Sequence, residues 1–369
     1  MILDTVVIGS GVIGLACARA LAQQGREVVL LERGTQIGEQ TSARNSEIIH
    51  AGLYYPTKSN KARYCLQGAR QLYTYLESRN IAHKKCGKLI VASGDEEAAR
   101  LGKLQQQAAA NGVDGITALT GDEARALEPA LSPRISAALH ASETGIFDSH
   151  AFYLSLLADF EAAGGSVAFR SEVVAGTVED ELVSLTIRGD ADHRVQAATV
   201  VNAAGLQAVG LARAIHGAHA EALPKPYFAK GHYFSVTGTT PFEHLIYPLP
   251  NEAGLGTHLT LDLGGRGRLG PDVAWLPAEA AEPFDYSVSP DRAAAFHKAA
   301  QGFWPDLRLD QLQPDYSGIR PKLVGPGQAT GDFMIQRAAH GRLINLLGIE
   351  SPGLTSALAI AEHVAQTAT

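Results

Sequence analysis

The sequence contains little cysteine, and its cysteines are poorly spaced for pairing. There are 3 in 369 residues, at positions 17, 65 and 86, and no two of them form a C-x-x-C motif. An odd number at these spacings excludes a disulfide scaffold and a zinc ribbon, and it indicates a reducing compartment such as the cytoplasm. We predict no metal site.

Long apolar runs and an excess of positive charge are also missing. No run reaches the roughly 18–20 residues that cross a bilayer, so we predict a cytoplasmic protein with at most peripheral contact with the inner membrane. The formal net charge is −7, which argues against general nucleic-acid binding. The apolar start Ile2–Ile8 has no basic flank and is followed by glycines, so we interpret it as a strand rather than a secretory signal.

What the sequence does contain favours a folded α/β protein of about two domains. Hydrophobic residues make up 46% and charged residues 19%, which is close to a globular average. A chain of 369 residues is too long for one typical core. Strand 2–8, helix 12–24 and strand 27–31 form a predicted βαβ unit, whose crossover requires parallel strands.

The predicted pattern changes along the chain. From about Tyr227, short strands alternate with Gly and Pro, which is typical of an antiparallel sheet, and the α/β pattern returns after Asp332. A discontinuous nucleotide-binding domain that carries a β-rich second domain would explain both the change of pattern and its return. The other predicted helices are 59–79, 95–110, 149–163, 290–302 and 354–366, and the other predicted strands are 88–92, 167–169, 182–187, 195–202, 233–236, 245–248, 255–263 and 343–347.

A glycine motif lies between the first strand and the first helix. Gly9, Gly11 and Gly14 form G-x-G-x-x-G, in which the glycines permit a tight turn, close approach of a pyrophosphate, and packing of the helix on the strand. The helix N-terminus then offers free amides to phosphates. Glu32 ends the second strand, where a carboxylate accepts ribose hydroxyls. The sequence therefore predicts a dinucleotide site.

A second G-x-G-x-x-G spans residues 265–270, but its context differs. Pro271 follows directly and no apolar helix begins there, so we predict a hairpin turn. With one dinucleotide fold, the chain holds FAD or NAD but not both.

Three further segments are weaker indications of binding. Residues 202–205 read Asn-Ala-Ala-Gly at a strand end, residues 41–46 form a polar loop after Glu32, and residues 348–355 open the last helix with Gly, Ser and Pro. Each also has an ordinary structural explanation, as packing, a solvated loop or a helix start.

Together with Gly318-Ile319-Arg320-Pro321, these segments resemble the D-amino-acid-oxidase-like superfamily of FAD-dependent oxidoreductases, in the same order and over nearly the whole chain. The resemblance implies a Rossmann-like FAD-binding domain of residues 1–85, 146–225 and 320–369. It also implies an α+β substrate domain of residues 86–145 and 226–319 with a mostly antiparallel sheet. The implied FAD-binding residues are Gly9, Gly11, Gly14, Glu32, Arg33, Thr41, Ser42, Asn45, Ser46, Val173, Ala204, Gly205, Gly348, Gly353, Leu354 and Thr355.

Within the superfamily, residues 45–56, 87–92 and 254–260 are most similar to the L-2-hydroxyglutarate dehydrogenase branch. That similarity implies oxidation of a 2-hydroxy acid, above all L-2-hydroxyglutarate to 2-oxoglutarate, with electron delivery to a non-nicotinamide acceptor such as a quinone or oxygen. The chain departs from the branch at His232, where an acid is expected, and at Gly353 and Leu354, where small Ala residues are usual.

Oxidation of a 2-hydroxy acid requires a carboxylate clamp and a base. The wider superfamily places its carboxylate-binding arginine where Arg320 stands, and the guanidinium fork suits that task. Lys230 is a candidate for a second carboxylate, although a solvated lysine is an equal alternative. His50, His232 and His258 lie in branch-like segments; we expect His258 to be the base and His50 to be the reserve candidate.

His50 could instead attach the flavin covalently, as an early-loop histidine does in some relatives. The segment that follows His50 is one residue shorter than in that attachment pattern, so we predict that FAD is bound non-covalently. Two other functions stay open: an amine or amino-acid oxidase of the same superfamily, which needs no protein base, and a flavin subunit of a larger complex.

Overall fold

The computed structural model describes residues 2–179, 181–189, 192–217, 223–249, 256–277, 280–329 and 331–368. The helices are α1 (Val12–Gln23), α2 (Asn60–Ser78), α3 (Gly94–Ala110), α4 (Gly121–Leu127), α5 (Ser149–Ala162), α6 (Ala208–Ala214), α7 (Ala293–Ala300) and α8 (Gly353–Thr367). The strands are β1 (Ile2–Ile8), β2 (Val28–Leu31), β3 (Ile48–Ile49), β4 (His83–Lys84), β5 (Lys88–Ser93), β6 (Ile116–Thr120), β7 (Ile135–Ala141), β8 (Gly145–Phe147), β9 (Ser166–Ala168), β10 (Glu172–Val178), β11 (Val183–Arg188), β12 (His193–Asn202), β13 (Ile215–His216), β14 (Tyr227–Val236), β15 (Leu245–Pro248), β16 (Leu259–Leu261), β17 (Gly267–Leu269), β18 (Ala274–Trp275), β19 (Leu312–Lys322), β20 (Met334–Ala338) and β21 (Leu343–Leu347).

The first large sheet has a parallel centre, as the βαβ pattern predicts. Its order is β13-β10-β11-β12-β1-β2-β9, with β21 also beside β12 and β20 beside β21. The pairs of β1 with β2, β1 with β12, and β12 with β21 are all parallel. Helix α1 packs against α5 and α8, and Leu15, Leu21 and Ile360 are completely buried in that core. The two chain ends therefore meet around the glycine turn.

The second large sheet is mostly antiparallel. Its order is β18-β14-β17-β16-β15-β5-β7-β6, and the long strand β19 pairs with β14. One pair, β15 with β5, is parallel. A small sheet of β3, β8 and β4 completes the described strands. The α/β class with one parallel-centred sheet and one mostly antiparallel sheet is confirmed.

Several predicted elements change their bounds. The predicted helix 290–302 is α-helical only over Ala293–Ala300, because Pro290–Arg292 forms a 3₁₀ turn before it. Within the predicted strand 255–263 only Leu259–Leu261 is extended, and residues 254 and 255 lie outside the described residues. Sequence reasoning missed the strands whose alternation is weak, among them β6, β7 and β10.

The second glycine motif forms the expected hairpin. The amide of Arg266 donates to a side-chain oxygen of Asp262, and the chain returns as β17, antiparallel to β16. No helix begins directly after it, because the next described element is the short strand β18. The predicted hairpin is therefore confirmed. Among these residues, no helix is long and apolar enough to cross a membrane.

Candidate active site

A cavity of about 1220 Å³ is lined by residues of both large sheets. Its wall includes residues of the glycine turn, Glu32, Arg320, His50 and His258. The volume exceeds the roughly 300–1,000 Å³ of a small-ligand pocket, which leaves room for a dinucleotide and a substrate together.

The glycine turn closes tightly between β1 and α1. Gly9 has a φ of +96°, and a Cβ added to it would lie 2.8 Å from the Ala203 carbonyl oxygen. A Cβ on Gly14 would lie 1.8 Å from the Gly9 carbonyl oxygen. Only glycine fits at either position, so the helix can begin directly at the cavity wall.

The start of α1 is open toward the cavity. Its N-cap residue, Gly11, has no side chain to cap the helix, and the first-turn amide of Val12 donates to Ser42 Oγ at 3.0 Å. A Cβ on Gly11 would approach Ser42 Oγ at 3.1 Å. The positive end of the helix dipole favours an anion there, which suits a pyrophosphate.

Glu32 lies at the end of β2 with its carboxylate at the turn. Its Oε2 accepts from the Ser10 amide at 2.8 Å and the Ser10 hydroxyl at 2.6 Å, and its Oε1 accepts from the Gly34 amide at 2.7 Å. These bonds fix an anionic acceptor on the cavity wall. Its neighbour Arg33 also lines the cavity, but its guanidinium is paired with Glu282.

The polar loop after Glu32 is tied to the second large sheet. Thr41 Oγ1 donates to the Ile319 carbonyl at 3.2 Å, and Ser46 Oγ lies 2.8 Å from the Tyr233 hydroxyl. The expected FAD-binding residues that line the cavity are Gly9, Gly11, Glu32, Arg33, Thr41, Ser42, Asn45, Ser46, Val173, Ala204, Gly205, Gly353 and Leu354.

Three expected cofactor residues do not line the cavity. Gly14 is covered by the turn, and Gly348 lies against Leu323, 2.5 Å from an added Cβ. The buried Thr355 hydroxyl accepts from the His50 amide at 3.1 Å and donates to the Ile48 carbonyl at 3.1 Å. All three shape the wall by packing rather than by facing its interior.

These features fit FAD. Gly9 and Gly14, whose positions admit no side chain, form a cradle for a dinucleotide together with the start of α1 and the fixed carboxylate. Arg320 lines the same cavity. The fit rests on the chain's own geometry and does not depend on the resemblance.

Arg320 is a candidate carboxylate-binding residue of the cavity. It lies on β19, is only partly exposed, and lines the cavity. Among the described residues, none forms a hydrogen bond or ion pair with its guanidinium. A guanidinium held in a cavity without a carboxylate is ready to bind one from a ligand.

His258 and His50 both reach the cavity. His258 is 4% exposed and its ring stacks on Tyr247, with ring centroids 3.6 Å apart and planes 10° apart. His50 Nε2 lies 3.4 Å from Ser351 Oγ, and burial together with the charge of Lys88 lowers the pKa of His50 to about 3. His50 is therefore neutral near pH 7 and able to accept a proton.

The placement of Lys230 runs against its expected role. Its ammonium donates to Asp285 at 3.1 Å and to the Ser287 carbonyl at 2.8 Å, and it does not line the cavity. Strand alternation explains this, because Tyr233 faces the cavity while Lys230 and His232 face away. His232 is likewise held outside, with Nδ1 2.8 Å from Asp272 Oδ1.

Sequence reasoning missed a charged cluster and two tyrosines. Lys61 and Lys322 donate to Glu350 Oε1 at 2.9 and 2.8 Å at the cavity wall. Opposing charges hold the pKa of Glu350 below its usual range although burial raises it. Tyr54 and Tyr247 line the wall near the histidines. Only the position of Glu350 beside the final glycine turn could have indicated the cluster.

The comparisons with known proteins agree with this site. The chain matches the DAO family, described as FAD dependent oxidoreductase, over residues 4–367. It is 43% identical to the mitochondrial L-2-hydroxyglutarate dehydrogenase of Arabidopsis thaliana over 98% of this chain and 82% of that protein. It is 30% identical to L-2-hydroxyglutarate dehydrogenase of Salmonella houtenae over 98% and 92% of the two chains.

Among solved structures, L-α-glycerophosphate oxidase of Mycoplasma pneumoniae with FAD bound superposes with a TM-score of 0.89, at 25% identity, covering 100% of this chain and 95% of that one. The family predicted from the motifs is thereby confirmed, and the cofactor with it. The chain belongs to the DAO family of FAD-dependent oxidoreductases.

Proposed function

We propose that the protein oxidises L-2-hydroxyglutarate to 2-oxoglutarate. The observation that carries this proposal is that Arg320, a guanidinium without a partner among the described residues, lines the same cavity as two histidines. A carboxylate clamp in a cavity that also contains imidazoles suits a 2-hydroxy acid. The names of the relatives in Arabidopsis thaliana and Salmonella houtenae support the same substrate.

Each residue has a defined task in this reaction. Arg320 binds the carboxylate next to the reacting carbon and so fixes its orientation. An imidazole of the cavity accepts the hydroxyl proton as the carbonyl bond forms. When bound, FAD would accept the hydride, and with it both electrons, from the carbon that carries the hydroxyl group. The uncapped start of α1 and Glu32 hold the cofactor rather than the substrate.

We propose His258 as the base, with His50 as the alternative. His258 belongs to the second sheet and is almost completely buried against Tyr247. His50 belongs to the loop after β3 and is held through its own amide by Thr355. Both can reach one substrate only if it lies between them, so their separate removal distinguishes the roles.

The electrons must leave without a nicotinamide. The described residues contain one dinucleotide turn, which the cofactor occupies, so we propose a quinone or oxygen as the acceptor. Peripheral contact with the inner membrane would serve a quinone. We also propose that FAD is not covalently bound, so acid precipitation should release it into the supernatant.

We propose two domains with the predicted bounds. Residues 1–85, 146–225 and 320–369 carry the glycine turn, and residues 86–145 and 226–319 carry most of the antiparallel sheet. The cavity lies where residues of both parts contribute to its wall. The cavity wall would then combine Glu32 from the first part with His258 from the second.

Anaerobic bleaching of the bound flavin tests the proposed function. A panel of 2-hydroxy acids of both configurations, amines and amino acids is mixed with the purified chain, and the flavin absorbance is followed. L-2-hydroxyglutarate should bleach it fastest. Bleaching by amino acids but not by hydroxy acids would move the protein to the amine-oxidising class, and bleaching by none would indicate a subunit that needs a partner.

A further inference from the structure

Two cations of the strand β19 line the cavity. Arg320 and Lys322 are two residues apart, so their side chains project from the same face of the strand, and both contribute to the cavity wall. Arg320 pairs with Ala229 of β14 and Lys322 with Tyr227, without a register shift between them. Their Cα atoms are therefore about 7 Å apart, because a strand advances about 3.3 Å per residue. One strand thus presents two positive charges to one cavity.

Lys322 belongs to a cluster whose charges do not cancel. Lys61 and Lys322 both donate to Glu350 Oε1, at 2.9 and 2.8 Å, so two cations share one carboxylate. Among the residues that the structure describes, no other carboxylate forms an ion pair with either lysine. One positive charge is therefore left over. The side chain of Lys61 is 3% exposed and that of Lys322 is 21% exposed, so Lys322 is the member that can present this charge to a ligand.

Lys322 also experiences the charge of Arg320. Burial lowers the pKa of Lys322, the carboxylate of Glu350 opposes this, and the positive charges of Lys61 and Arg320 lower it further. The ammonium of Lys322 and the guanidinium of Arg320 are therefore close enough to repel each other. A ligand with two negative groups would relieve this repulsion by binding to both cations.

We propose that Lys322 binds the second carboxylate of a dicarboxylic 2-hydroxy acid while Arg320 binds the first, so that Lys322 sets the preference for dicarboxylates over monocarboxylates. A five-carbon diacid, with a hydrogen bond of about 3 Å at each end, can bridge two flexible cationic side chains that start about 7 Å apart. Lys322 thus takes the role for which Lys230 is the candidate in the sequence, since Lys230 is paired with Asp285 and does not line the cavity. This inference rests on the proposed function, because it concerns the site at which the 2-hydroxy acid is oxidised.

The test compares two substrates that differ only in the distal group. The FAD-loaded parent and Lys322→Gln are reduced anaerobically with L-2-hydroxyglutarate and with L-2-hydroxypentanoate, in which a methyl group replaces the distal carboxylate. The measured quantity is the ratio of the two second-order rate constants of flavin reduction. The ratio should fall by about tenfold or more in Lys322→Gln, as expected for loss of a hydrogen bond between charged groups, while the rate with L-2-hydroxypentanoate stays nearly unchanged. Lys322→Arg, which keeps the charge, should retain most of the parent ratio.

A second measurement needs no turnover. Glutarate and pentanoate lack the hydroxyl group, so they can bind beside the oxidised flavin without reducing it, and the change in the flavin spectrum gives their Kd. Lys322→Gln should weaken the binding of glutarate by the same factor of about ten or more and leave that of pentanoate nearly unchanged. Lys85→Gln is the matched control, because Lys85 is a surface lysine paired with Glu143, and its ratio should equal the parent's.

The outcomes separate the inference from the proposed function. An equal loss with both substrates in Lys322→Gln, or an unchanged ratio, would overturn the inference alone. Weaker FAD binding with an unchanged ratio would place Lys322 at the cofactor and have the same consequence. A parent whose flavin no 2-hydroxy acid reduces would overturn the proposed function and the inference with it. If Lys322→Gln does not retain FAD, Lys322→Met takes its place. If neither retains FAD, the parent decides: a ratio near one overturns the inference, and a ratio of about ten or more supports it.

Discussion

Arg320 and Lys230 show at the scale of single residues how differently two cations of neighbouring strands can be used. Arg320 lies on β19 and Lys230 on its paired strand β14. Arg320 faces the cavity with no partner among the described residues, whereas Lys230 is neutralised by Asp285. A charge has a role in binding only where the fold leaves it uncompensated. Burial alone does not identify the cation that binds a ligand, since Lys230 is only 6% exposed and yet is paired with Asp285.

Replacing Arg320 should therefore weaken substrate use strongly. Loss of one partner from a buried charged pair typically costs about 2–5 kcal/mol, so Arg320→Ala should lower kcat/KM by at least about 30-fold while FAD content stays unchanged. Arg320→Lys should recover only part, because the fork is lost. Steady-state kinetics with an artificial dye measure this, and Arg70→Ala, at an exposed pair with Asp114, is the control. Near-normal kinetics in Arg320→Ala would remove it from the site.

The two cavity histidines give the second prediction at this scale. General base catalysis is typically worth about 10²–10⁴-fold, so His258→Ala should slow anaerobic flavin reduction by that factor, with a smaller loss at high pH where hydroxide competes. His50→Ala should have the lesser effect. If the slow variant is His50→Ala and His258→Ala matches the parent, the base is His50. Two unaffected variants would contradict a hydroxyl-oxidising mechanism.

At the scale of elements, the junction of β1 and α1 is the least tolerant part of the fold. Gly14→Ala places a Cβ 1.8 Å from the Gly9 carbonyl oxygen, and backbone atoms cannot move aside without shifting α1. The helix start that should face the pyrophosphate would move with it. We expect the purified variant to lose most of its FAD, as read from the flavin absorbance per chain, and to melt at a lower temperature.

Gly102→Ala is the control for that variant. Gly102 lies inside α3, and no atom lies within 4 Å of an added Cβ. Alanine there should keep FAD and raise stability by about 0.5–1 kcal/mol, because it reduces the freedom of the unfolded chain. Full FAD occupancy in Gly14→Ala would contradict the role given to the glycine turn.

The elements also explain which parts of the site could be predicted. The glycine turn and Glu32 are local, because their geometry depends on one strand, one turn and one helix that are adjacent in sequence. The position of Lys230 outside the cavity could not be predicted, because the direction in which β14 faces depends on its partners β18 and β19, which lie far away in sequence. The ammonium of Lys88 lies near the rings of Tyr54 and Tyr247. These three residues are far apart in the sequence, so no local spacing indicates their contact.

At the scale of the whole molecule, one cavity must serve both halves of the reaction. The described chain has one dinucleotide turn, and the second glycine motif is a hairpin between β16 and β17. The substrate and the final acceptor must therefore use the bound flavin in turn, through the same cavity. Exposed Val273 and Trp275 lie at its wall, where an acceptor could enter.

This arrangement predicts turnover without a nicotinamide. The purified chain should oxidise L-2-hydroxyglutarate continuously with a dye or a short-chain quinone, and NAD or NADP should neither accept electrons nor change the rate. The expected kinetics are ping-pong, because product must leave before the acceptor reaches the flavin. Dye reduction followed at several fixed substrate concentrations measures this as parallel reciprocal plots. Reduction of NAD by the pure chain would require a second nucleotide site and would contradict the single-cavity scheme. Intersecting plots would instead mean that substrate and acceptor bind at the same time. A cavity of about 1220 Å³ that also holds a dinucleotide leaves little room for both.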